Sequence, residues 1–206
     1  MTARRALALL ALPLALAGCG RHRATRQEPP YQIGGPACLR ALAARGVLVE
    51  PWAAPETGAC RVDTPVLATG GATVGFSPAL KTSCAMLLAW LDLEPAVQAA
   101  ASARLGSPVV TVRNFGSYSC RGINGDGRRL SLHALGRALD ISGFGLADGR
   151  TVTVAEGWDG PRDERRFLRA VRDAACRRLG AVLDPDSDRR HRDHLHVDLG
   201  PWRLCR

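Results

Sequence analysis

Lysine and aromatic residues are both scarce in this sequence. Lys81 is the only lysine among 206 residues, and aromatic residues make up 5% of the chain. Arginine therefore carries almost all of the positive charge behind the net charge of +9, and the arginines are dispersed rather than clustered. Because nucleic-acid-binding domains concentrate their basic residues and carry recognisable motifs, we expect no nucleic-acid partner. The net positive charge is compatible with contact to an anionic polymer or a membrane surface.

The apolar run near the N-terminus, residues 6–17, is too short to span a bilayer stably. Two arginines precede it, and it ends in Leu16-Ala17-Gly18-Cys19, which resembles the lipobox of bacterial lipoproteins. We therefore predict a lipoprotein signal peptide over residues 1–19, with lipidation of Cys19 holding the mature protein on a membrane. The alternative is an ordinary secretory signal cleaved nearby, in which Cys19 has no role.

The rest of the chain is predicted to form a tether over residues 20–36 and one domain over residues 37–206. The tether is polar and ends in two glycines and a proline. Within the domain, Ser77-Pro78 has the sequence of a helix start. The spacing of apolar residues predicts a long helix from there to about residue 105, with a kink or restart at Pro95.

Helical and extended patterns do not alternate strictly in the domain. Amphipathic spacing predicts a charged helix over residues 161–179. Strands are predicted at residues 109–112, 138–141 and 195–199, and Asp148-Gly149 marks a hairpin. We therefore predict an α+β fold in which helices flank an antiparallel sheet.

Six cysteines remain after Cys19, and no two of them have the C-x-x-C spacing of zinc-binding pairs. An even number of cysteines downstream of an export signal predicts three disulfides in an oxidising compartment. Fifteen pairings are possible, and proximity along the chain favours Cys38 with Cys60. The six candidates are Cys38, Cys60, Cys84, Cys120, Cys176 and Cys205.

Four of the five histidines lie in two short motifs. The first motif, residues 131–140, reads SLHALGRALD, and the second, residues 191–198, reads HRDHLHVD. Clustered histidines with nearby carboxylates are ligands that zinc prefers. A catalytic zinc uses three protein ligands and keeps a fourth position open for water, whose pKa falls to about 7. We therefore predict a metal site with Zn²⁺ as the cofactor; because Fe, Co or Mn accept similar ligands, the metal is inferred from ligand type.

Strand spacing in the second motif places His194, His196 and Asp198 on one face. Of these, Asp198 has the weakest case as a ligand, and its alternative role is to orient a histidine as a hydrogen-bond acceptor. In the first motif, Gly136 favours a turn rather than an unbroken helix.

The first motif resembles the S-x-H-x-x-G-x-A-x-D motif of the zinc D,D-peptidases that act on bacterial cell-wall peptides, and His194-x-His196 resembles their second motif, H-x-H. That superfamily includes D-Ala-D-Ala carboxypeptidases, murein endopeptidases and hedgehog-type domains. The segments 116–121 and 140–144, with the late His-x-x-His-x-His, are similar to the bacterial extensin-like family over roughly residues 37–206. The resemblance implies a zinc D,D-peptidase-like fold, which the three predicted disulfides would stabilise.

The resemblance implies that His133, Asp140 and His196 bind zinc. These three residues come from both histidine motifs, so the ligand set requires the two motifs to meet in the fold.

Catalytic roles are also implied by the resemblance. His191 and His194 match accessory histidines that transfer a proton or stabilise the tetrahedral intermediate. Arg121 resembles the arginine that polarises the scissile carbonyl or holds the substrate carboxylate, with Arg113 as a second candidate. Asp193 stands where the carboxypeptidase branch has a glutamate, but it is one methylene shorter and is predicted to point away from the last ligand.

The ligand pattern, the export signal and the resemblance together predict a zinc hydrolase of the bacterial cell envelope, lipid-anchored and facing the periplasm. Its substrates would be peptidoglycan peptides, cut at an amide bond as by a D,D-endopeptidase or carboxypeptidase. The alternative is a non-catalytic, zinc-stabilised envelope lipoprotein that binds cell-wall peptide or a protein partner. The accessory histidines favour the enzyme, because a binding protein needs no proton-transfer group.

Overall fold

The computed structural model describes residues 31–123 and 126–206. The predicted signal peptide, Cys19 and most of the predicted tether lie outside these residues. Tyr31 and Ile33, near the end of the predicted tether, pack against the core, and the Tyr31 hydroxyl donates a hydrogen bond to Asp92 at 2.6 Å. The packed part of the chain therefore includes residues 31–36, which the sequence pattern assigned to the tether.

The described chain contains four α-helices, one short 3₁₀ helix and ten strands. The helices are α1 (Gly35–Ala43), α2 (Cys84–Leu105), α3 (Val154–Gly157) and α4 (Arg162–Cys176), and the 3₁₀ helix covers Leu132–Leu135. The strands are β1 (Pro65–Gly70), β2 (Gly75–Ser83), β3 (Val109–Gly116), β4 (Gly122–Ile123), β5 (Asp126–Leu130), β6 (Ala138–Leu146), β7 (Thr151–Thr153), β8 (Ala181–Leu183), β9 (Leu195–Asp198) and β10 (Leu204–Cys205).

Eight strands form the main sheet in the order β1-β2-β3-β6-β9-β8-β10, with β7 paired to β6, and β4 and β5 form a separate hairpin. The pairs β2–β3 and β8–β10 are parallel, and the other pairs in the sheet are antiparallel. Helices α2 and α4 pack against each other and against strands of this sheet. The predicted α+β class and the mostly antiparallel sheet are confirmed.

Alternation along β6 and β9 decides which side of the sheet carries the candidate site. Leu139 and Ile141 of β6 are fully buried in the core, and Leu195 and Val197 of β9 are 1% exposed. Successive side chains in a strand point to opposite faces. The residues between these apolar ones, Asp140 and His196 among them, therefore lie on the face away from the core.

The strand predictions at residues 109–112, 138–141 and 195–199 are confirmed by β3, β6 and β9, the last of which ends at Asp198. Gly149, in the predicted hairpin turn between β6 and β7, has a φ of +87°. Helix α4 ends at Cys176, one turn before the predicted end.

The predicted helix start at Ser77-Pro78 is wrong. Residues 75–83 form β2, in which Leu80 and Thr82 are buried while Lys81 between them is exposed. Pro78 lies beyond the end of the β2–β3 pairing at Ser77, so its missing N–H removes no bond from that ladder. Helix α2 starts at Cys84 instead.

The N-cap of α2 is Ser83, whose hydroxyl accepts a hydrogen bond from the Met86 backbone N–H at 3.3 Å. The helix runs through Pro95 as one element, so no restart occurs there. It ends at Leu105, as predicted, where Gly106 has the left-handed φ of +69° that suits a helix C-terminus.

The three disulfides are present, but the predicted pairing of Cys38 with Cys60 is wrong. The bonds join Cys38 to Cys84, Cys60 to Cys120 and Cys176 to Cys205. Helix α1 packs against α2, so the first pair meets in the core, where both cysteines are fully buried. The other two disulfides fasten segments that lead into the candidate site.

Candidate metal centre

His133 lies in the 3₁₀ helix between β5 and β6, and it is 3% exposed. The Ser131 hydroxyl accepts a hydrogen bond from the His133 backbone N–H at 3.3 Å, which caps this short helix. The His133 ring places Nδ1 2.8 Å from the backbone carbonyl oxygen of Ser117. Because a carbonyl only accepts, Nδ1 carries the proton and donates, which leaves the lone pair of Nε2 to bind a metal.

Gly136 ends the 3₁₀ helix in the left-handed conformation, with φ of +61°. Its carbonyl oxygen accepts hydrogen bonds from the backbone N–H and hydroxyl of Ser83 at 3.0 and 2.8 Å and from the Thr82 hydroxyl at 3.1 Å. A Cβ at this position would lie 2.8 Å from the Ser83 nitrogen. The predicted turn is therefore present, and it joins the His133 loop to the start of α2.

The side chains of His133, Asp140 and His196 meet on the open face of the sheet. Asp140 in β6 and His196 in β9 are partners in the antiparallel register. Asp140 Oδ1 lies 2.9 Å from His196 Nδ1 and 3.1 Å from His133 Nε2, and the two nitrogens are 3.1 Å apart. These are the three residues that the resemblance implied as ligands.

The second ring nitrogen of His196 faces Asp198. Asp198 Oδ1 accepts hydrogen bonds from the backbone N–H groups of Ala181 and Gly200 at 2.8 and 2.9 Å, while Oδ2 lies 3.4 Å from His196 Nε2. This arrangement keeps the proton on Nε2 and presents Nδ1 to the site. Asp198 therefore occupies the orienting position rather than a ligand position.

Two imidazole nitrogens and one carboxylate oxygen form a donor set that suits zinc. Atoms bound tetrahedrally at 2.0–2.1 Å lie roughly 3.3 Å from one another. The separations of 2.9–3.1 Å among these three atoms are close to that value. The residues present therefore fit a divalent metal with a fourth position to spare.

The electrostatics of the site favour a carboxylate and a protonated imidazole. Burial of Asp140 opposes its ionisation, but its interactions with the imidazoles of His133 and His196 hold the pKa of that carboxyl well below its usual range. Burial likewise opposes protonation of His196, but the bonds and charges of Asp140 and Asp198 raise the pKa of His196 to about 9.

We expect the affinity of the site for zinc to rise with pH between about 6.5 and 9. His196 is protonated at pH 7 and must lose this proton before Nδ1 can bind, so the affinity rises nearly tenfold per pH unit and levels off near the raised pKa of about 9. The raised pKa stabilises the metal-free protein fully below pH 6.5, and this contribution is lost as the pH passes through about 9. Calorimetric titration in buffers of different ionisation enthalpy would measure the proton released. A pH-independent affinity would contradict the prediction.

His191 and His194 stand beside the three candidate ligands, and each has its own carboxylate. Asp193 Oδ1 lies 2.9 Å from His194 Nδ1, and Asp188 Oδ1 lies 3.0 Å from His191 Nδ1. His194 Nε2 is 3.7 Å from Asp140 Oδ1. The ring centroids of His191 and His194 are 5.2 Å apart. Two carboxylate–imidazole pairs thus border the candidate metal position.

Each pair has a defined tautomer, because a carboxylate accepts and Nδ1 must donate. When such a ring is neutral, its lone pair lies on Nε2, on the side away from its carboxylate. Burial lowers the pKa of His191 more than Asp188 raises it, so this ring is neutral near pH 7. A neutral imidazole can accept a proton from a reacting group.

A cavity of about 530 Å³ opens above these residues. Arg121 lines it, next to Cys120 and its disulfide to Cys60, so the first arginine candidate is at the site. Arg113, the second candidate, is exposed on β3 and is not among the residues that line this cavity.

Three supporting groups have roles that the sequence analysis did not assign. The Ser117 carbonyl orients His133, and a backbone acceptor leaves no signal in a sequence. Asp188 stands three residues before His191, a spacing that could have indicated the pair. Asp193 has His194 as its partner.

The fold and the site define a disulfide-bonded α+β domain with a candidate His₂Asp metal centre at the base of an open cavity. The chain belongs to the family described as Extensin-like protein C-terminus, which matches residues 36–206. A search of curated proteins finds no match to the chain. A search of solved structures also finds no match.

Proposed function

We propose that this domain is a zinc hydrolase of the bacterial cell envelope that cleaves an amide bond in peptidoglycan peptides. The proposal extends the family membership to the zinc D,D-peptidase superfamily, with its D,D-endopeptidases and carboxypeptidases. One observation carries it: the atoms of His133, Asp140 and His196 that could hold a metal lie within 4.8 Å of one another, at the base of a cavity that two further histidines border.

Zinc held by these three side chains would polarise a scissile carbonyl and lower the pKa of the attacking water. The chain supplies the proton transfer. With Nδ1 held by Asp193, His194 presents Nε2 to the cavity, 3.7 Å from Asp140 Oδ1. From this position Nε2 can exchange a proton with a group bound beside that carboxylate. His191, held by Asp188, is the second proton acceptor and donor.

We assign to Arg121 the role of stabilising negative charge in the reaction. It is exposed to the cavity and belongs to a segment fixed at Cys120 by a disulfide, and its carbonyl accepts a hydrogen bond from the Ser131 backbone N–H at 3.1 Å. A guanidinium on a backbone segment fixed in this way can stabilise a developing oxyanion or bind a substrate carboxylate.

We also propose that the protein is exported, anchored through a lipid on Cys19 and exposed to the periplasm. Three disulfides support an oxidising compartment, because such bonds seldom persist in the bacterial cytosol. Metabolic labelling with a fatty-acid probe tests the anchor: Cys19→Ala should abolish labelling of the protein and release it from the membrane fraction.

Purified protein incubated with muropeptides should yield cleavage products whose masses identify the bond. Chelator should abolish the products, and added zinc should restore them. A protein shown to contain one metal ion that leaves the muropeptides intact would refute the hydrolase. It would favour the alternative, a zinc-stabilised lipoprotein that binds cell-wall peptide or a protein partner without turnover.

A further inference from the structure

The lining of the cavity also includes an apolar wall that the proposed reaction does not use. This wall is built by two separate segments, the β4–β5 hairpin and the C-terminal segment that follows β9. Ile123 and Leu130 of the hairpin and Trp202 of the C-terminal segment line the cavity together. They are 40%, 37% and 48% exposed, respectively.

The exposure of Ile123, Leu130 and Trp202 is informative because the three side chains line one cavity. Only seven large hydrophobic side chains are exposed in residues 31–123 and 126–206, and these three share one cavity. Isolated exposed hydrophobic residues are normal on a protein surface, but a group of them lining a concave site marks a place where an apolar ligand group binds.

Both segments of the wall are fastened to the rest of the fold. The disulfide between Cys60 and Cys120 lies just before the hairpin. The disulfide between Cys176 and Cys205 holds the C-terminal segment to α4, while β10 pairs with β8. Each segment is therefore held at one end by a disulfide, which reduces the conformational entropy lost when a ligand binds.

The charges of the cavity are distributed unevenly. Its aspartates serve the histidine cluster: Asp140 bonds to two histidines, Asp188 bonds to His191, and Asp198 bonds to His196 and to backbone N–H groups. Among the side chains that the structure describes, Arg121, Arg129 and Arg190 line the cavity, and the Arg190 backbone N–H donates to Asp188 Oδ1 at 2.8 Å. Arg129 pairs with Asp126 through Nε at 2.7 Å, and its side chain is 72% exposed, so its terminal nitrogens can bind a further carboxylate.

We propose that this wall is a subsite for an acidic peptide, in which Trp202, Ile123 and Leu130 contact small apolar side chains while Arg129 binds a peptide carboxylate. The inference rests on the proposed function for its choice of peptide, since peptidoglycan peptides combine alanine with free carboxylates. It adds a preference: peptides with free carboxylates bind more tightly than the same peptides with amidated carboxylates.

The test measures binding separately from cleavage, using the zinc-loaded His194→Ala variant of the full chain. Two probes are compared by calorimetry: a peptidoglycan stem pentapeptide with free carboxylates, and the same peptide fully amidated. We expect amidation to raise Kd about tenfold or more. Arg129→Gln should raise Kd for the free peptide by a similar factor and reduce the preference, whereas Arg162→Gln on α4 should change neither.

Trp202 provides a second measurement, because Trp90 and Trp158 are at most 2% exposed and Trp52 lies outside the lining of the cavity. Peptide binding should shift the tryptophan emission, and Trp202→Phe should abolish the shift. Equal affinity for both peptides, or a preference unchanged in Arg129→Gln, would overturn the subsite. If the unmodified protein cleaves peptides but shows no carboxylate preference, only the subsite is overturned. If it binds with this preference but does not cleave, only the hydrolase is refuted.

Discussion

Zinc should raise the unfolding temperature of the protein by about 10 °C, and Asp140→Ala should remove both the rise and the bound metal. The physical reason is mass action: a ligand that binds only the folded state at 1,000 times its Kd adds about 4 kcal/mol to the free energy of unfolding. For a chain of this length, each kcal/mol corresponds to roughly 2–4 °C. Differential scanning calorimetry with and without chelator measures the rise, and elemental analysis measures the zinc.

The effect of Asp140→Ala is expected to be large because the carboxylate has two functions. It supplies one of three candidate ligand atoms, and its Oδ1 also lies 2.9 and 3.1 Å from nitrogens of His196 and His133, which it holds in register. Removal of a group that only orients a ligand costs about 10–100-fold in metal affinity, so loss of the ligand itself should exceed a factor of about 100.

Asp159→Ala is the matched control, because it also removes a carboxylate. Asp159 has a side chain that is 86% exposed and a distant ion pair with Arg169 at 3.7 Å. We expect this variant to bind one zinc and to show the full rise in unfolding temperature. An Asp140→Ala protein that keeps its zinc, or an unmodified protein whose unfolding temperature zinc does not change, would contradict the metal centre.

The candidate ligands could be predicted from sequence because each motif is local. His133 and Asp140 are seven residues apart across a turn that Gly136 makes possible, and His196 lies in a strand whose alternating pattern is clear. What the sequence did not contain is the pairing of β6 with β9, which places Asp140 directly opposite His196. The similarity of the motifs to a known family supplied that information.

The errors came from signals that depend on distant packing. Ser77-Pro78 and Ser83 are both acceptable helix starts, and only the pairing of β2 with β1 and β3 decides between them. Cys38 pairs with Cys84 because α1 packs against α2, a contact between residues 46 positions apart. Proximity along the chain carries no information about such a contact.

The roles of Ser117 and of the cavity wall had no local signal. The contact of Ser117 with His133 is made by a backbone carbonyl, which every residue carries. Trp202 and Leu130 lie on segments about seventy positions apart, and they share a cavity only because the chain returns to the sheet at β10.

His194→Ala should lower the rate of muropeptide cleavage by a factor of about 10²–10⁴ and leave one zinc bound. That range is the usual contribution of a positioned proton-transfer group. His194 is not one of the three side chains that could hold the metal, and its Nδ1 is engaged by Asp193 at 2.9 Å, so its loss should affect the reaction rather than the metal. Turnover is measured by chromatography of the products at saturating zinc, with metal content determined on the same sample.

Comparison with two further variants assigns the loss to its cause. Asp193→Asn keeps the length of the side chain but removes the charge that holds the His194 ring, so we expect a smaller fall, about tenfold, from misorientation alone. Phe115→Ala removes the aromatic ring that packs edge-on against His194 at 5.7 Å without removing any group that can transfer a proton. If His194→Ala loses zinc in proportion to activity, His194 is a metal ligand instead. If His194→Ala keeps full activity, the acid–base role belongs to His191. The cleavage rate should fall more in His194→Ala than in Asp193→Asn, because the Asp193 carboxylate acts only by orienting the imidazole ring.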